Sequence, residues 1–409
     1  MKLQTITPSP DFAPAPERRV DLDWVRISAF GLLIFYHVGM LYVSWGFHIK
    51  SAHRITALEP LMLVLNPWRL ALLFLVSGVA TRFMLRKYPL LPLLRSRSAR
   101  LLIPLVFGML VVVPPQSYDQ IVERLGYPGG FVDFYWQHYL AFGAQFCPNP
   151  CIVLPTWNHL WFVVYLWVYT MALGAVLAAA PGLVDWVERK LAAALSGTAA
   201  LLLVPSLVLA AYRFLLLPSF PPTHALFGDW YDHALYATVF LLGFLLARVD
   251  AFWDAVERQR WLALSLAAVF YLSFLAIWSG KTGIGPSLGL KLYGVFAYSS
   301  YQWLCMVAVT GFARCWLTAD SALRRYLTDA IFPYYIVHQT AIIMIAHGLS
   351  GRDLPAWLEA GIIITGTVAT CVLTYEIVRR VPILRPLFGL RLATPEPALR
   401  LTAIRQPAQ

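Results

Sequence analysis

The sequence predicts an all-α membrane protein, a polytopic bundle of about ten transmembrane helices with both termini cytoplasmic. Three observations carry this. Of 409 residues, 59% are hydrophobic and only 13% charged, with a mean hydropathy of +0.64. A typical soluble domain carries about 25% charged residues. Apolar runs near the ~20 residues needed to cross hydrocarbon recur about ten times. Basic residues alternate from loop to loop, as the positive-inside rule requires.

The runs fall near 24–45, 60–81, 101–115, 158–180, 197–217, 231–247, 261–280, 293–317, 329–348 and 357–378. The third is short and stops at Pro114-Pro115. The fifth contains Pro205, which a membrane helix tolerates when neighbours satisfy the freed carbonyl. With the N-terminus inside, 22 of the 32 Lys and Arg residues fall in inner segments, six in outer segments and four within spans. That asymmetry sets the orientation and supports the span count, because one missed helix would invert every later loop. It also accounts for the net charge of +11 without a nucleic-acid partner.

The chain divides into a disordered cytoplasmic tail (1–20), a transmembrane domain (21–380) and a basic cytoplasmic tail (381–409). The first tail holds Pro8, Pro10, Pro14 and Pro16 but no apolar core, so it does not read as a secretory signal. Cys305, Cys315 and Cys371 lie in apolar runs and read as small core residues. Cys147 and Cys151 sit in a long outer loop near 116–157, where a short disulfide is allowed. C-x3-C with no further ligand nearby is a weak zinc signal, and no metal site is expected. The same loop carries Tyr118, Tyr127, Phe131, Phe134, Tyr135, Trp136 and Tyr139. These rings suit either an interfacial belt or stacking on sugar rings.

The costliest residues are on the first span. Arg26 and His37 are eleven positions apart, so at ~100° per residue they share one helix face, roughly 16 Å apart along the axis. Ionisable groups on a lipid-embedded helix usually face a bundle interior and a functional site. Arg26 near the inner rim also fits an ordinary interfacial anchor. On other spans, His338 falls near mid-membrane, Arg69 in the outer half, and Asn158, His159 and Trp161 at the outer boundary. On the inner side, Arg82, Arg86, Lys87, Arg95, Arg97 and Arg100 form a basic run with no acid between them. It fits either contact with membrane lipids or a phosphate clamp for a nucleotide-bearing ligand, since guanidinium forks match phosphate geometry. A histidine with a near-neutral pKa suits removal of a hydroxyl proton, or transient carriage of an acyl group. No phosphate-binding glycine loop, G-x-S-x-G or H-E-x-x-H motif occurs.

Four segments in order resemble the acyltransferase-3 family of integral membrane O-acyltransferases. Arg26 and His37 match its R-x10-H. Phe74-Leu75-Val76-Ser77-Gly78 is similar to F-x-x-S-G, Arg97-Ser98-Ala99-Arg100 to R-x-x-R, and Tyr335-Ile336-Val337-His338 to Y-x-x-H. The resemblance covers about residues 20–380. Asn158-His159-Leu160-Trp161-Phe162 looks more like the glucan-modifying branch than the branch with H-L-W-S-L-x-x-E-E. Val164 and Tyr165 stand where those acids would be, so no carboxylate role carries over.

The resemblance implies acyl transfer, as succinyl or acetyl, from cytosolic acyl-CoA to a hydroxyl of an extracytoplasmic glycan at a bacterial inner membrane, with no metal. It implies His37 as base or acyl relay with Arg26 and His338, then Arg95, Arg97, Arg100 and Ser77 on the donor, and Arg69, Asn158, His159 and Trp161 on the acceptor. An oligomer is compatible with all of this. The rival readings are a lipid-linked or small-molecule acceptor, and a transporter that makes no bonds.

Overall fold

The computed structural model of the chain describes residues 19–143, 145–147, 151–280, 285 and 287–392. Most of the expected N-terminal tail and the end of the C-terminal tail lie outside the described residues. Among the described residues the fold is a helical bundle whose one sheet is a hairpin of two-residue strands, β1 (Gln145–Phe146) and β2 (Ile152–Val153). Cys147 and Cys151 are joined by a disulfide beside it.

The first half contains α1 (Val20–Gly39), α2 (Glu59–Leu85), α3 (Leu90–Phe107), α4 (Val113–Leu125), the single turn α5 (Phe131–Phe134), α6 (Trp161–Ala179) and α7 (Pro181–Ala194). The second contains α8 (Thr198–Leu215), α9 (Trp230–Leu246), α10 (Asp250–Arg258), α11 (Arg260–Trp278), α12 (Leu288–Trp316), α13 (Ala322–Leu349) and α14 (Ala356–Arg380). Among the described residues, seven helical segments are long and apolar enough to cross a bilayer. The α9–α10 pair, bent by 112°, makes an eighth if it counts as one span. The long helices α1 and α12 lie in the same bundle, with α1 packed against α2, α12 and α13.

Several boundaries differ from the sequence expectation, most of all those of the third span, which begins at Leu90. The third span does not stop at Pro114-Pro115. A π turn over Gly108–Val112 joins α3 to α4, and helix continues to Leu125. Proline cannot donate to the carbonyl four residues before it, but here that carbonyl has another donor. Leu110 accepts from the Tyr135 hydroxyl at 3.0 Å, Met109 from Tyr139 at 2.7 Å, and Val112 from Thr340 at 2.9 Å. Rings expected to form a belt or a sugar platform are therefore partly committed to the backbone.

Elsewhere, small residues and buried charge hold the helices in register. A Cβ on Gly78 would sit 2.0 Å from the Phe240 carbonyl, and one on Gly243 would sit 2.0 Å from the Leu75 carbonyl. The two glycines thus let α2 and α9 meet backbone to backbone, the use of small residues expected between membrane helices. Because backbone cannot swing away as a side chain can, Gly78→Val is expected to destabilise the bundle by at least about 3 kcal/mol, read as a lowered melting temperature and loss of monodisperse elution. Arg324, 1% exposed in its side chain, ties α13 to α1 through Asp23 and also pairs with Asp320 at 2.9 Å.

Candidate active site

The long helices run between two ends. At one, the start of α1 and the ends of α2 and α14 meet α3 around a cavity of about 610 Å³. This lies within the usual range for small-molecule sites. Its mouth carries Arg26, Arg97, Arg100, Arg379, Arg385 and Arg391, opposed by Asp23 and Asp329. Ser77 lines the wall and donates to the Leu73 carbonyl at 2.7 Å. Two short turns (Pro382–Leu384 and Pro386–Phe388) fold back over this end, and Arg100 Nε donates to the Gly389 carbonyl at 2.8 Å. Arg97 donates to Thr81 at 2.8 Å, while its Nε makes no hydrogen bond. Arg95 is exposed and does not line the cavity, so the run read as one clamp contributes only Arg97 and Arg100 here. The α helix explains this: Arg97 and Arg100, three apart, share a face that Arg95 does not.

The inner end of the cavity is formed by Phe30, Leu33, Leu70, Phe162 and Tyr335. Just beyond lie four histidines from four segments. The His338 ring centroid is 5.4 Å from that of His37 and 5.2 Å from that of His159, and the Phe30 ring stands edge-on to His338 at 5.3 Å. Arg26 and His37 therefore occupy one stripe as expected, but only Arg26 opens on the cavity. Phe47, from the loop after α1, stacks on His37 at 5.7 Å and closes it from the far end.

Hydrogen-bond directions sort the histidines. Gln339 Nε2 donates to His48 Nε2 at 2.8 Å and to Gln116 Oε1 at 3.1 Å. His48 therefore carries its proton on Nδ1, which lies 2.6 Å from Gln120 Oε1. Gln116 in turn donates to Thr340 at 3.0 Å and to His159 Nδ1 at 3.4 Å, leaving His159 Nε2–H to donate to the Ile336 carbonyl at 3.0 Å. Both rings are held neutral by amides that would have to turn before either accepted a proton. His338 and His37 differ. His338 donates Nδ1–H to the Tyr335 carbonyl at 2.7 Å, and its buried Nε2 makes no hydrogen bond. His37 Nδ1 is likewise without a partner. His338, fixed through Nδ1–H with the lone pair of Nε2 open, has the arrangement a proton acceptor needs.

The remaining expected residues lie on the far side of this group. Pro67 lies inside α2, and side chains serve the carbonyls around it: Gln302 donates to the Pro67 carbonyl at 2.5 Å, and Trp68 and Tyr301 donate to the Val64 carbonyl at 2.7 and 2.6 Å. Arg69 is thereby set with its guanidinium 3.6 Å from the centroid of the Tyr36 ring. Trp161 stacks on His224 at 4.3 Å, and Asn158, at a φ of 43°, turns the chain into α6 and reaches Ser117 at 3.5 Å. Tyr165, in place of an acid, donates to Asp229 at 2.6 Å. His48, Gln116 and Gln339 are the residues sequence reading missed. Gln116 seemed to be loop because Pro114-Pro115 looked like a stop. Gln339 follows the recognised His338, and His48 lies eleven positions beyond His37; both spacings were available as signals.

His48 is in the loop outside the spans, and burial, set against the hydrogen bond it donates to Gln120 Oε1, pushes its pKa down to about 4 from the ordinary 6.5. A depressed histidine pKa stabilises the fold above the unfolded value and loses that contribution as pH falls from 6.5 towards 4. The melting temperature of the wild type should therefore drop over that interval by more than that of His48→Gln.

A family model described as Acyltransferase domain, Acyl_transf_3, matches residues 19–376. Curated relatives include Glucans biosynthesis protein C of Escherichia coli O81 (strain ED1a) and of Escherichia coli (strain K12). Each is 23% identical over 395 residues, covering 92% of this chain and 96% of the relative. No solved structure matches the chain. The matched residues run from the start of α1 almost to the end of α14 and enclose both the basic cavity and the histidine group, so the chain belongs to the acyltransferase-3 family and is a multi-pass membrane O-acyltransferase.

Proposed function

We propose that the protein moves an acyl group, succinyl or acetyl, from acyl-CoA in the cytosol to a hydroxyl of an extracytoplasmic glycan such as a periplasmic glucan. The observation that carries this reading is the arginine-lined cavity whose inner end, at Phe30, abuts His338, with His37 next to that ring and each histidine leaving one buried ring nitrogen without a hydrogen bond among the described residues. The distribution of Lys and Arg supports a bacterial inner membrane setting with ten spans, both termini and the two tails (1–20 and 381–409) in the cytosol, and the arginine cavity facing it.

In this reading Arg97, Arg100 and Arg26 hold the phosphates of the donor, and the cavity wall around Ser77 holds its arm. The acyl thioester reaches the inner end beside Phe30. Either His37 or His338 removes the acceptor hydroxyl proton as the oxygen attacks the thioester carbonyl. The tetrahedral intermediate then collapses, the C–S bond breaks, and the leaving thiolate takes the proton back from the imidazolium. Alternatively, a His37 ring nitrogen attacks the thioester carbonyl and the C–S bond breaks to release CoA thiolate; the acceptor oxygen then attacks the acyl-imidazole carbonyl, the C–N bond breaks, and the hydroxyl proton passes to the thiolate. His159 and His48 shape the site without serving as the base, since the glutamine amides hold both. Arg69, Asn158 and Trp161 serve the acceptor side.

The test is release of free CoA by the purified protein given acetyl-CoA or succinyl-CoA with a glucose oligosaccharide. The expected result is acceptor-dependent CoA release. Arg97→Ala with Arg100→Ala should raise the donor KM by about 10-fold or more, as loss of two charge-assisted contacts implies. Binding of acyl-CoA with no bond made under any acceptor would overturn the proposal in favour of a transporter.

A further inference from the structure

The loop between α1 and α2 crosses the far end of the site, and it is fastened unevenly. At its base, Lys50 Nζ donates to the Met40 and Val43 carbonyls at 2.6 and 2.8 Å, the Ser51 N–H to Leu41 at 3.1 Å, and the Ile55 N–H to Tyr42 at 2.8 Å. Ser51 Oγ also donates to Glu359 of α14 at 2.9 Å. Trp45 packs against the cluster of Tyr36, Val43 and Met62, and Ile49 enters the main core. Between these anchors Gly46, Phe47 and His48 form a tip. Among the described residues no backbone–backbone hydrogen bond holds that tip. Side chains hold it instead. Arg124, exposed at the end of α4, donates Nε to the His48 carbonyl at 3.0 Å and Nη2 to the Phe47 carbonyl. The His48 ring is fixed between Gln120 and Gln339.

The tip lays one apolar ring on a histidine. Phe47 stacks on His37 with planes 28° apart, and stands edge-on to His48 at 5.2 Å. Gly46 beside it is exposed and Phe47 itself is half-buried, so on this side a single ring separates the His37 imidazole from the surface. A Cβ on Gly46 would meet nothing within 4 Å, so there is open space next to the tip. Water competes with any hydroxyl acceptor at such a place. Its oxygen attacks the thioester carbonyl while an imidazole takes its proton; the C–S bond breaks, and the thiolate takes that proton back, leaving a free carboxylic acid and CoA. Shutting water out of a site suppresses this loss. A segment fixed at its base and held at its tip by side chains alone opens at less cost than the whole fold, which is how a loop can both seal a site and admit a substrate.

We propose that Phe47 decides between transfer and hydrolysis: its ring keeps water from His37 until an acceptor displaces it, and Arg124 is the positioning residue that latches it there. This rests on the reading of acyl-CoA as the donor. Phe47 has no polar side-chain atom with which to bind or to exchange a proton, so what it contributes at His37 is exclusion. Arg124 touches neither histidine ring nitrogen; it acts through the two carbonyls that fix the tip.

The experiment uses the full-length protein in nanodiscs. CoA release from acetyl-CoA and succinyl-CoA is followed with and without a glucose oligosaccharide, and free acetate or succinate is measured alongside. Phe47→Ala should raise acceptor-independent CoA release about 10-fold or more, with an equal amount of free acid, while Phe47→Leu, which stays apolar, raises it far less. Arg124→Gln should act in the same direction as Phe47→Ala but more weakly, since the ring remains and only its latch is lost. Carbethoxylation of His37 by diethyl pyrocarbonate, read by peptide mass, needs no donor and should speed up in Phe47→Ala and Arg124→Gln. Either variant serves if the other loses monodisperse elution. In an enzyme active with acceptor, acceptor-independent release that stays at the wild-type level in the folded variants would overturn the proposal. Faster carbethoxylation in the variants of a protein that releases no CoA from either donor would sustain the seal and sink the donor reading instead; unchanged carbethoxylation there would overturn the seal as well.

Discussion

His37→Ala and His338→Ala should each lower acyl transfer by roughly 10²–10⁴-fold, the range that loss of a positioned acid–base group produces. The two are expected to fail differently. If His37 carries the acyl group, wild-type protein mixed with donor and no acceptor gains the mass of one acyl group. His338→Ala then gains it too but does not pass it on, and His37→Ala never gains it. If His37 is instead the base, no acyl-protein forms in any variant, and single-turnover rates fall with donor binding intact. Intact-protein mass after rapid quenching separates the two cases. His159→Gln, which keeps an amide within the glutamine chain, should cost far less than either. An equal loss in His159→Gln would show that the ring does more than hold position.

The second large effect is on stability. Asp23→Ala removes one of two carboxylates from an arginine that is almost wholly buried. Breaking a buried pair by deleting one partner typically costs about 3–5 kcal/mol, because the stranded charge keeps its desolvation penalty. Asp320 remains and offsets part of that, so about 2–3 kcal/mol is expected, read as a lowered melting temperature. Since Asp23 also lines the cavity mouth, donor KM should fall as the variant makes that mouth more positive. Arg324→Met with Asp23→Ala should recover much of the lost stability while leaving the altered donor KM in place.

Much of this was readable because membranes impose strong rules on composition. Apolar runs predicted where helices form, and each expected run coincides with a helix, with seven of the helical segments apolar and long enough to cross. Arg26, His37 and His338 stood out because ionisable residues are expensive in such runs, and Arg97 and Arg100 because they belong to a basic run with no acid between its members. What escaped was polar but uncharged. Gln116, Gln120 and Gln339 carry no charge to flag them, yet they decide which histidines are free to titrate. The Pro114-Pro115 step misled because the rule that proline ends a helix presumes that no other donor is at hand. Tyr135 and Tyr139 supply donors from more than twenty residues away, a fact of tertiary structure alone.

The single ring of Phe30 has an electrical consequence. A cavity lined by arginines at one end behaves as an inlet of the aqueous phase, so the insulating part of the bundle is thinned to the layer between its inner end and the far surface. A membrane voltage therefore falls steeply across the very residues that would exchange protons. Moving one elementary charge through the full potential involves about 2.3 kcal/mol per 100 mV. A proton released at His37 or His338 crosses only part of that drop, and the side on which it leaves determines whether turnover is electrically silent or charges the membrane.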